Sequence, residues 1–203
     1  MKFSHLKLEQ IRNNPGNFKQ IVAGSRGSFS MNKTWKLAIK KYHQANRDKE
    51  LAFNHFEEMF DRNFVLNNQN RQRRELLLEK LERYISNYNT LGFEYYDYTN
   101  RVTIDINHGN VITGEIFRLD KTTDGLVVTL FQNEDSIWIK ELRYPLLQIY
   151  YSNTLQIPTD KIKVGIYDFA AEKHEYNTFD ELTLIQAQNE VRNLSNEINR
   201  IVL

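Results

Sequence analysis

Glu115, Asp120 and Lys140 are side chains of the types that hydrolyse phosphodiesters. Carboxylate oxygens hold a hard cation such as Mg²⁺, and a nearby ammonium stabilises charge on the phosphate. Their spacing does not assemble that site. Side chains alternate across a strand, so Glu115 falls on one face with Phe117 and Asp120 on the other, and the residue two before Lys140 is Trp138, not a carboxylate. The three read as solvated or salt-bridged strand ends, with an active enzyme built on displaced ligands as the alternative. The five histidines, His5, His43, His55, His108 and His174, form no local pair at ligand spacing, so no metal site is assigned. Zero cysteines exclude a disulfide scaffold, a thiolate zinc site, an iron–sulfur cluster and a thiol nucleophile. Neither Gly-x-x-x-x-Gly-Lys-Ser/Thr nor Gly-x-Gly-x-x-Gly occurs, and no cofactor is expected. Gly24-Ser25-Arg26-Gly27-Ser28 comes nearest to an anion-binding loop and reads as an ordinary connection.

The cations are unevenly spread. Residues 1–90 carry 17 Lys+Arg and 9 Asp+Glu, residues 91–203 carry 10 and 17, so halves of +8 and −7 make up a chain of 203 residues with net charge +1. Arg26, Lys33, Lys36, Lys40, Arg71, Arg73 and Arg74 are the candidates for phosphate contact. Two opposite-signed layers attracting each other would explain the split as well, and Arg73 and Arg74 beside Glu75, Glu79 and Glu82 suit helix-surface pairs. Phe53, Phe56, Phe60 and Phe64 recur at helical spacing and read as core, not as stacking platforms. With 40% apolar residues and no run approaching the roughly 18 that a membrane span needs, the expectation is a soluble protein without a membrane partner. The opening Met1-Lys2-Phe3-Ser4-His5 holds no apolar signal core, which predicts a cytoplasmic location.

The elements that must position these residues fall into two kinds. Leu6, Leu8, Ile11, Phe18, Ile21 and Val22 have helical spacing interrupted at Pro15-Gly16, which predicts two short helices or a kinked one. Helices are further predicted over 29–44, 50–66 and 69–91, with Gly92 closing the helical part. Beyond it the period falls to 2. Strands are predicted over 93–98, 101–106, 111–119 and 126–132 as a meander, a short fifth over 136–139, a helix over 142–155, a strand over 161–169 and a long helix over 178–201. The expectation is one α/β domain over 1–203, with a helical layer over 1–91 and helices against a mixed β-sheet over 92–203.

Leu8-Glu9-Gln10-Ile11-Arg12-Asn13-Asn14-Pro15-Gly16-Asn17-Phe18, after Phe3-Ser4-His5, resembles the opening of RecB-like domains of the PD-(D/E)XK nuclease superfamily, Leu-x-x-(Phe/Leu/Ile)-x-x-Cys-Pro-x-x-Phe. Asn14 stands where many members have Cys, so the iron–sulfur subgroup is excluded. The segment 30–42 resembles the helix that usually carries the family's His. Ile112-Thr113-Gly114-Glu115-Ile116-Phe117-Arg118-Leu119-Asp120 resembles the strand motif Gly-x-(Ile/Val)-Asp-Arg-(Ile/Leu)-Asp. Leu126-Val127-Val128-Thr129-Leu130-Phe131 lies where the family has apolar-apolar-Asp-(Tyr/Phe)-Lys. Leu146-Leu147-Gln148-Ile149-Tyr150-Tyr151 resembles the Gln-Leu-x-x-Tyr helix and Val164-Gly165-Ile166-Tyr167-Asp168 the last strand, so the resemblance spans essentially the whole chain.

The resemblance implies a restriction-endonuclease-like core, but the family's chemistry is missing. Its metal-holding Asp, its second carboxylate and its Lys correspond to Phe117, Thr129 and Phe131, and its His falls near Trp35, whereas Gly114, Arg118, Asp120, Gln148 and Tyr151 keep the motif. The implied protein is a pseudo-nuclease that binds nucleic acid or scaffolds a DNA-processing, mobile-element or antiviral complex together with protein partners. The alternatives are a pure protein adaptor without DNA contact and the active nuclease with migrated residues.

Overall fold

The computed structural model describes residues 1–24, 30–97, 101–107, 109–133 and 136–202. Arg26 and His108, most of the 24–28 loop and the Thr99-Asn100 turn lie outside them. The chain divides into two compact units, one made of Met1–Ser25 with Glu94–Leu203 and the other of Arg26–Phe93. The first 25 residues thus go with the sheets, not with the helices of the expected 1–91 layer. The fold class is α/β, with mixed sheets flanked by helices.

In the sheet unit, β1 (Lys2–Ser4) is followed by α1 (Leu8–Asn13) and α2 (Phe18–Ala23). The two helices are separated by a 3-10 turn at Pro15–Asn17, where proline's missing N–H costs nothing at a first helical position. β2 (Glu94–Asp97), β3 (Arg101–Asn107), β4 (Asn110–Glu115), β5 (Arg118–Lys121) and β6 (Leu126–Gln132) follow. Then come α6 (Arg143–Leu155), β7 (Ile162–Asp168), β8 (Lys173–Asn177) and α7 (Glu181–Val202). α7 starts where the Asp180 side chain accepts from the Thr183 N–H at 2.7 Å.

The strands form two sheets, ordered β1-β4-β3 and β2-β5-β6-β7-β8. This corrects the expected meander. The run 111–119 is not one strand: it breaks at Ile116-Phe117, so β4 pairs with β3 and parallel to β1, while β5 pairs with β2 and β6. Ile116 turns into the main core at the break. The short strand expected over 136–139 is instead a 3-10 turn at Trp138–Lys140, because Trp138 alone of the three consecutive apolar residues is drawn inside, its indole N–H donating to Glu175 at 2.8 Å. β1 and β8 carry no apolar alternation and were not expected; both lie at sheet edges, where polar residues suffice.

Alternation builds the core. Leu119, Val128, Leu130, Val164 and Ile166 share one sheet face and pack with Tyr144, Leu147 and Tyr151 of α6. Phe3, Leu8, Ile11 and Ile112 form a second cluster with Val191, Leu194 and Ile198 of α7. Burying such a side chain contributes roughly 1.5–3 kcal/mol.

The helical unit holds α3 (Met31–Gln44), α4 (Lys49–Asn63) and α5 (Asn68–Thr90), which contact one another. Each starts on a capping side chain: Ser30 accepts from Lys33 at 3.2 Å, Asp48 from Leu51 at 2.9 Å and Asn67 from Asn70 at 2.9 Å. Buried positions recur three or four apart: Trp35, Ala38, Ile39 and Tyr42, then Ala52, Phe56 and Phe60, then Leu77, Leu81, Tyr84 and Tyr88. Phe56 and Phe60 are core, as expected, with ring centroids 5.7 Å apart.

His5 ties β1 to β4. Its buried ring lies over Gly114, where an added Cβ would come within 1.6 Å of it, and its Nε2–H donates to the Glu115 carbonyl at 3.2 Å. Burial, then the charge of Arg143, lowers its pKa from 6.5 to about 4, against the raising effect of that bond. Above pH 6.5 the ring is neutral whether the chain is folded or not. Between pH 6.5 and about 4 the unfolded chain binds a proton that the folded chain refuses. Stability therefore falls by up to about 1.4 kcal/mol per pH unit from this group, on the order of 3 kcal/mol in all, and levels off below. Urea unfolding across this range should give a shallower pH slope for His5→Asn than for the wild type; equal slopes would refute the assignment.

Candidate functional site

The sheet face opposite the main core gathers the residues of interest. Arg118 on β5, Thr129 on β6, Gly165 on β7 and Tyr176 on β8 stand in one cross-strand row, and Phe131, Tyr167 and His174 in the next but one along the strands. Two-residue periodicity puts Asp120, Thr129 and Phe131 on this same face. Phe117 joins them, because the break at Ile116-Phe117 resets the alternation. Its ring lies 5.6 Å from Phe131 and 6.2 Å from Tyr167, and Phe131 in turn lies 5.3 Å from Phe169. The expectation that Asp120 faces away from Phe117 is thereby overturned.

The polar part of the face is a network of buried side chains. Arg118 Nε donates to Asp120 Oδ2 at 2.5 Å, both residues being fully buried, and Arg118 Nη2 reaches Tyr176 Oη at 3.1 Å and Thr129 Oγ1 at 3.4 Å. Tyr176 Oη and Thr129 Oγ1 are 3.2 Å apart, so the Tyr176 side chain crosses the intervening strand at Gly165. Glycine is needed there, since a Cβ would sit 1.9 Å from the Glu175 carbonyl oxygen. Burial raises the Tyr176 phenol pKa, and burial followed by the charge of Arg118 lowers His174 to about 3. At neutral pH His174 is therefore uncharged and the Tyr176 phenol keeps its proton.

Such a face can hold a charge pair and an aromatic floor. Glu115 is exposed at the end of β4 in the other sheet, and Lys140 is exposed on the 3-10 turn, with its carbonyl accepting from Arg12 at 3.3 Å. The fold therefore sets Glu115 and Asp120 in separate sheets. Among the described residues no three His, Asp or Glu side chains cluster as metal ligands.

Compared with known protein families the sequence matches none, and no curated protein matches it.

The other residues singled out by the sequence have distinct places. Gln148 is buried, its amide N–H₂ donating to the Thr159 and Phe179 carbonyls, each at 3.0 Å, while its Oε1 accepts from the Phe179 N–H at 2.9 Å. Tyr151 lies in the main core. Trp35 belongs to the helical unit, where its ring meets Tyr84 at 5.4 Å. Lys33, Lys36 and Lys40 fall on one side of α3 by their spacing. Arg71 and Arg73 are exposed in the first turns of α5, whereas Arg74 is held by Glu57 at 2.8 Å and Asp61 at 3.8 Å. Tyr167 was read only as part of the last strand, and His174 and Tyr176 were not placed on this face; the His174-x-Tyr176 spacing was the only signal for the latter two, and it lies on a strand with no apolar alternation.

Two outcomes follow. Asp120→Asn leaves the Arg118 charge buried without its counter-charge and should cost about 3–5 kcal/mol in urea unfolding, more than the paired replacement Arg118→Met with Asp120→Leu. A single substitution no worse than the double would refute the network. Replacing Phe117→Asp and Phe131→Lys together removes two packed rings, each worth on the order of 2 kcal/mol, and should lower the melting temperature; an unchanged melting temperature would mean that the rings stabilise nothing.

Proposed function

We propose that this chain is a catalytically silent RecB-like domain of the PD-(D/E)XK superfamily, a cytoplasmic subunit that acts by binding nucleic acid and protein partners within a DNA-processing, mobile-element or antiviral complex. The observation that carries the reading is the packing of Phe117 against Phe131 and Tyr167 at the positions that the resemblance marks for the metal-binding Asp and the Lys. A benzene ring can neither ligate a cation nor orient water. Thr129, at the second carboxylate position, is engaged by Arg118 and Tyr176. The mixed α/β architecture is compatible with a restriction-endonuclease-like core.

Nucleic-acid contact is supported by the Lys33, Lys36 and Lys40 side of α3 and by exposed Arg71 and Arg73. Its rival, a protein adaptor without DNA contact, is favoured by the acidic partners that several cations of the helical unit already have: Arg74 with Glu57, Lys49 with Glu82 and Arg83 with Glu79.

Linear single- or double-stranded DNA incubated with the protein and Mg²⁺ or Mn²⁺ should remain intact; cleavage abolished by changing Glu115, Asp120 or Lys140 would overturn the silent-site reading. DNA binding should be indifferent to sequence and weaken with salt, and Arg71→Glu with Arg73→Glu should flatten the salt slope by about one unit per lost phosphate contact. Absence of DNA affinity near physiological salt would leave the adaptor.

A further inference from the structure

β3 is an edge. It pairs with β4 on one side, and among the described residues no strand pairs with its other side. Exposed edges invite further strands, and proteins usually blunt them with proline, charged side chains, bulges or very short strands. β3 has no proline or lysine, its register irregularity falls only at its end, between Asp105 and Asn107, and its seven residues read Arg-Val-Thr-Ile-Asp-Ile-Asn, four of them β-branched. A groove of ≈ 300 Å³ runs beside it, bounded by α6 and α7 and lined by the apolar Ile104, Ile106, Leu146, Ile149, Tyr150 and Val191.

We propose that this edge joins two copies of the chain, β3 pairing antiparallel with β3 of a second copy about a two-fold axis at Thr103. The charge pattern selects that occupant. Along the strand Arg101, Thr103 and Asp105 are exposed, while Val102 and Ile104 turn inward. Antiparallel pairing centred on Thr103 sets Arg101 of each copy against Asp105 of the other, Val102 against Ile104, and Thr103 against itself. Both ion pairs form at once. A slip of two residues in either direction loses both of them, and parallel in-register pairing sets Arg101 against Arg101. Among the described residues neither Arg101 nor Asp105 is held in an ion pair within the chain, although Arg101 stands opposite Glu115 in the β3–β4 register. The inward-facing Val102 and Ile104 of the added strand extend the apolar side of the sheet into the groove. The contact is isologous and closes as a dimer, leaving no further β3 edge for a third copy.

The proposal is independent of nucleic-acid binding and of the nuclease resemblance. Sedimentation of the full chain over a dilution series should show a reversible dimer. Asp105→Arg opposes arginines at both pairs and should raise the dimer dissociation constant about tenfold, and adding Arg101→Asp to it should restore the affinity. The chain has no cysteine, so Thr103→Cys introduces a single thiol at the axis. Opposed residues of antiparallel strands lie within disulfide reach, and mild oxidation should give a covalent dimer, whereas Thr113→Cys on the inner strand β4 should not. Should Asp105→Arg fail to fold, the cysteine pair still decides. A wild type that stays monomeric throughout, a dimer indifferent to the charge reversal, or oxidation that links Cys at 113 as readily as at 103 would each overturn the proposal.

Discussion

The sheet unit depends on one costly interaction, the ion pair of Arg118 with Asp120, two residues apart on a single strand and closed off from water. Two charges taken out of water are stable only when each meets the other and the remaining donors are satisfied. β5 cannot supply those partners. They come from β6 through Thr129 and from β8 through Tyr176, which reaches across β7 where Gly165 has no side chain. The pair thus demands a fixed register over four strands, because a one-residue slip of any of them would turn Thr129, Gly165 or Tyr176 to the wrong face. The opposite face, filled by Leu119, Val128, Leu130, Val164 and Ile166, imposes the same register through burial alone. Charge satisfaction on one side and apolar burial on the other agree.

Beside this pair the face turns aromatic. Phe117, Phe131, Tyr167 and Phe169 make a chain of ring contacts beside the Arg118 row, with Phe131 and Tyr167 two residues along their strands from it. A hydrated cation and a packed ring cannot share one volume: the first needs oxygen ligands and ordered water, the second excludes both. Under the proposed function, replacement of one ligand by a ring removes the selective value of the others, so Phe117, Thr129 and Phe131 belong to a single change. His174 fits the same surroundings, since its depressed pKa keeps a third charge out of a neighbourhood that already holds Arg118.

Most of the architecture was legible because periodicity reports burial. The helices around Ala38, Phe56 and Leu81 and the strands through Val128 and Ile166 each carry a strong pattern, and their bounds moved by only a few residues. The failures have physical causes. The run from Val111 to Leu119 is apolar and β-branched on both sides of Phe117, and nothing local signals that the chain leaves one sheet for another there; the change shows only in long-range pairing, β4 with β3 and β5 with β6. β8 went unseen because Lys173-His174-Glu175-Tyr176-Asn177 is polar throughout, and an edge strand needs no apolar alternation. With β8 missing, Tyr176 and His174 could not be placed against Arg118, so the network was invisible although three of its members, Arg118, Asp120 and Thr129, had been singled out. Trp138 misled in the opposite way: flanked by Ile137 and Ile139 it imitates a strand, yet both neighbours are exposed and only the indole is inside.

The residues that keep the nuclease-like motif divide from those that depart from it along a physical line. Gly114 admits the His5 ring, Arg118 and Asp120 neutralise each other, Gln148 satisfies three main-chain groups between α6 and the start of α7, and Tyr151 fills the core. Each of these tasks would be needed by the fold with or without a reaction, and loss of any one would strand a buried polar group, open a cavity or force a clash. Under the proposed function Phe117 and Phe131 have the opposite character, for a metal site would contribute nothing to a chain that does not cleave, while a ring in its place adds buried area. Under the proposed function, the motif is therefore two sets of residues interleaved along the chain, a structural one at Gly114 on β4 and at Arg118 and Asp120 on β5 and a chemical one at position 117, and only the structural one is held in place by stability.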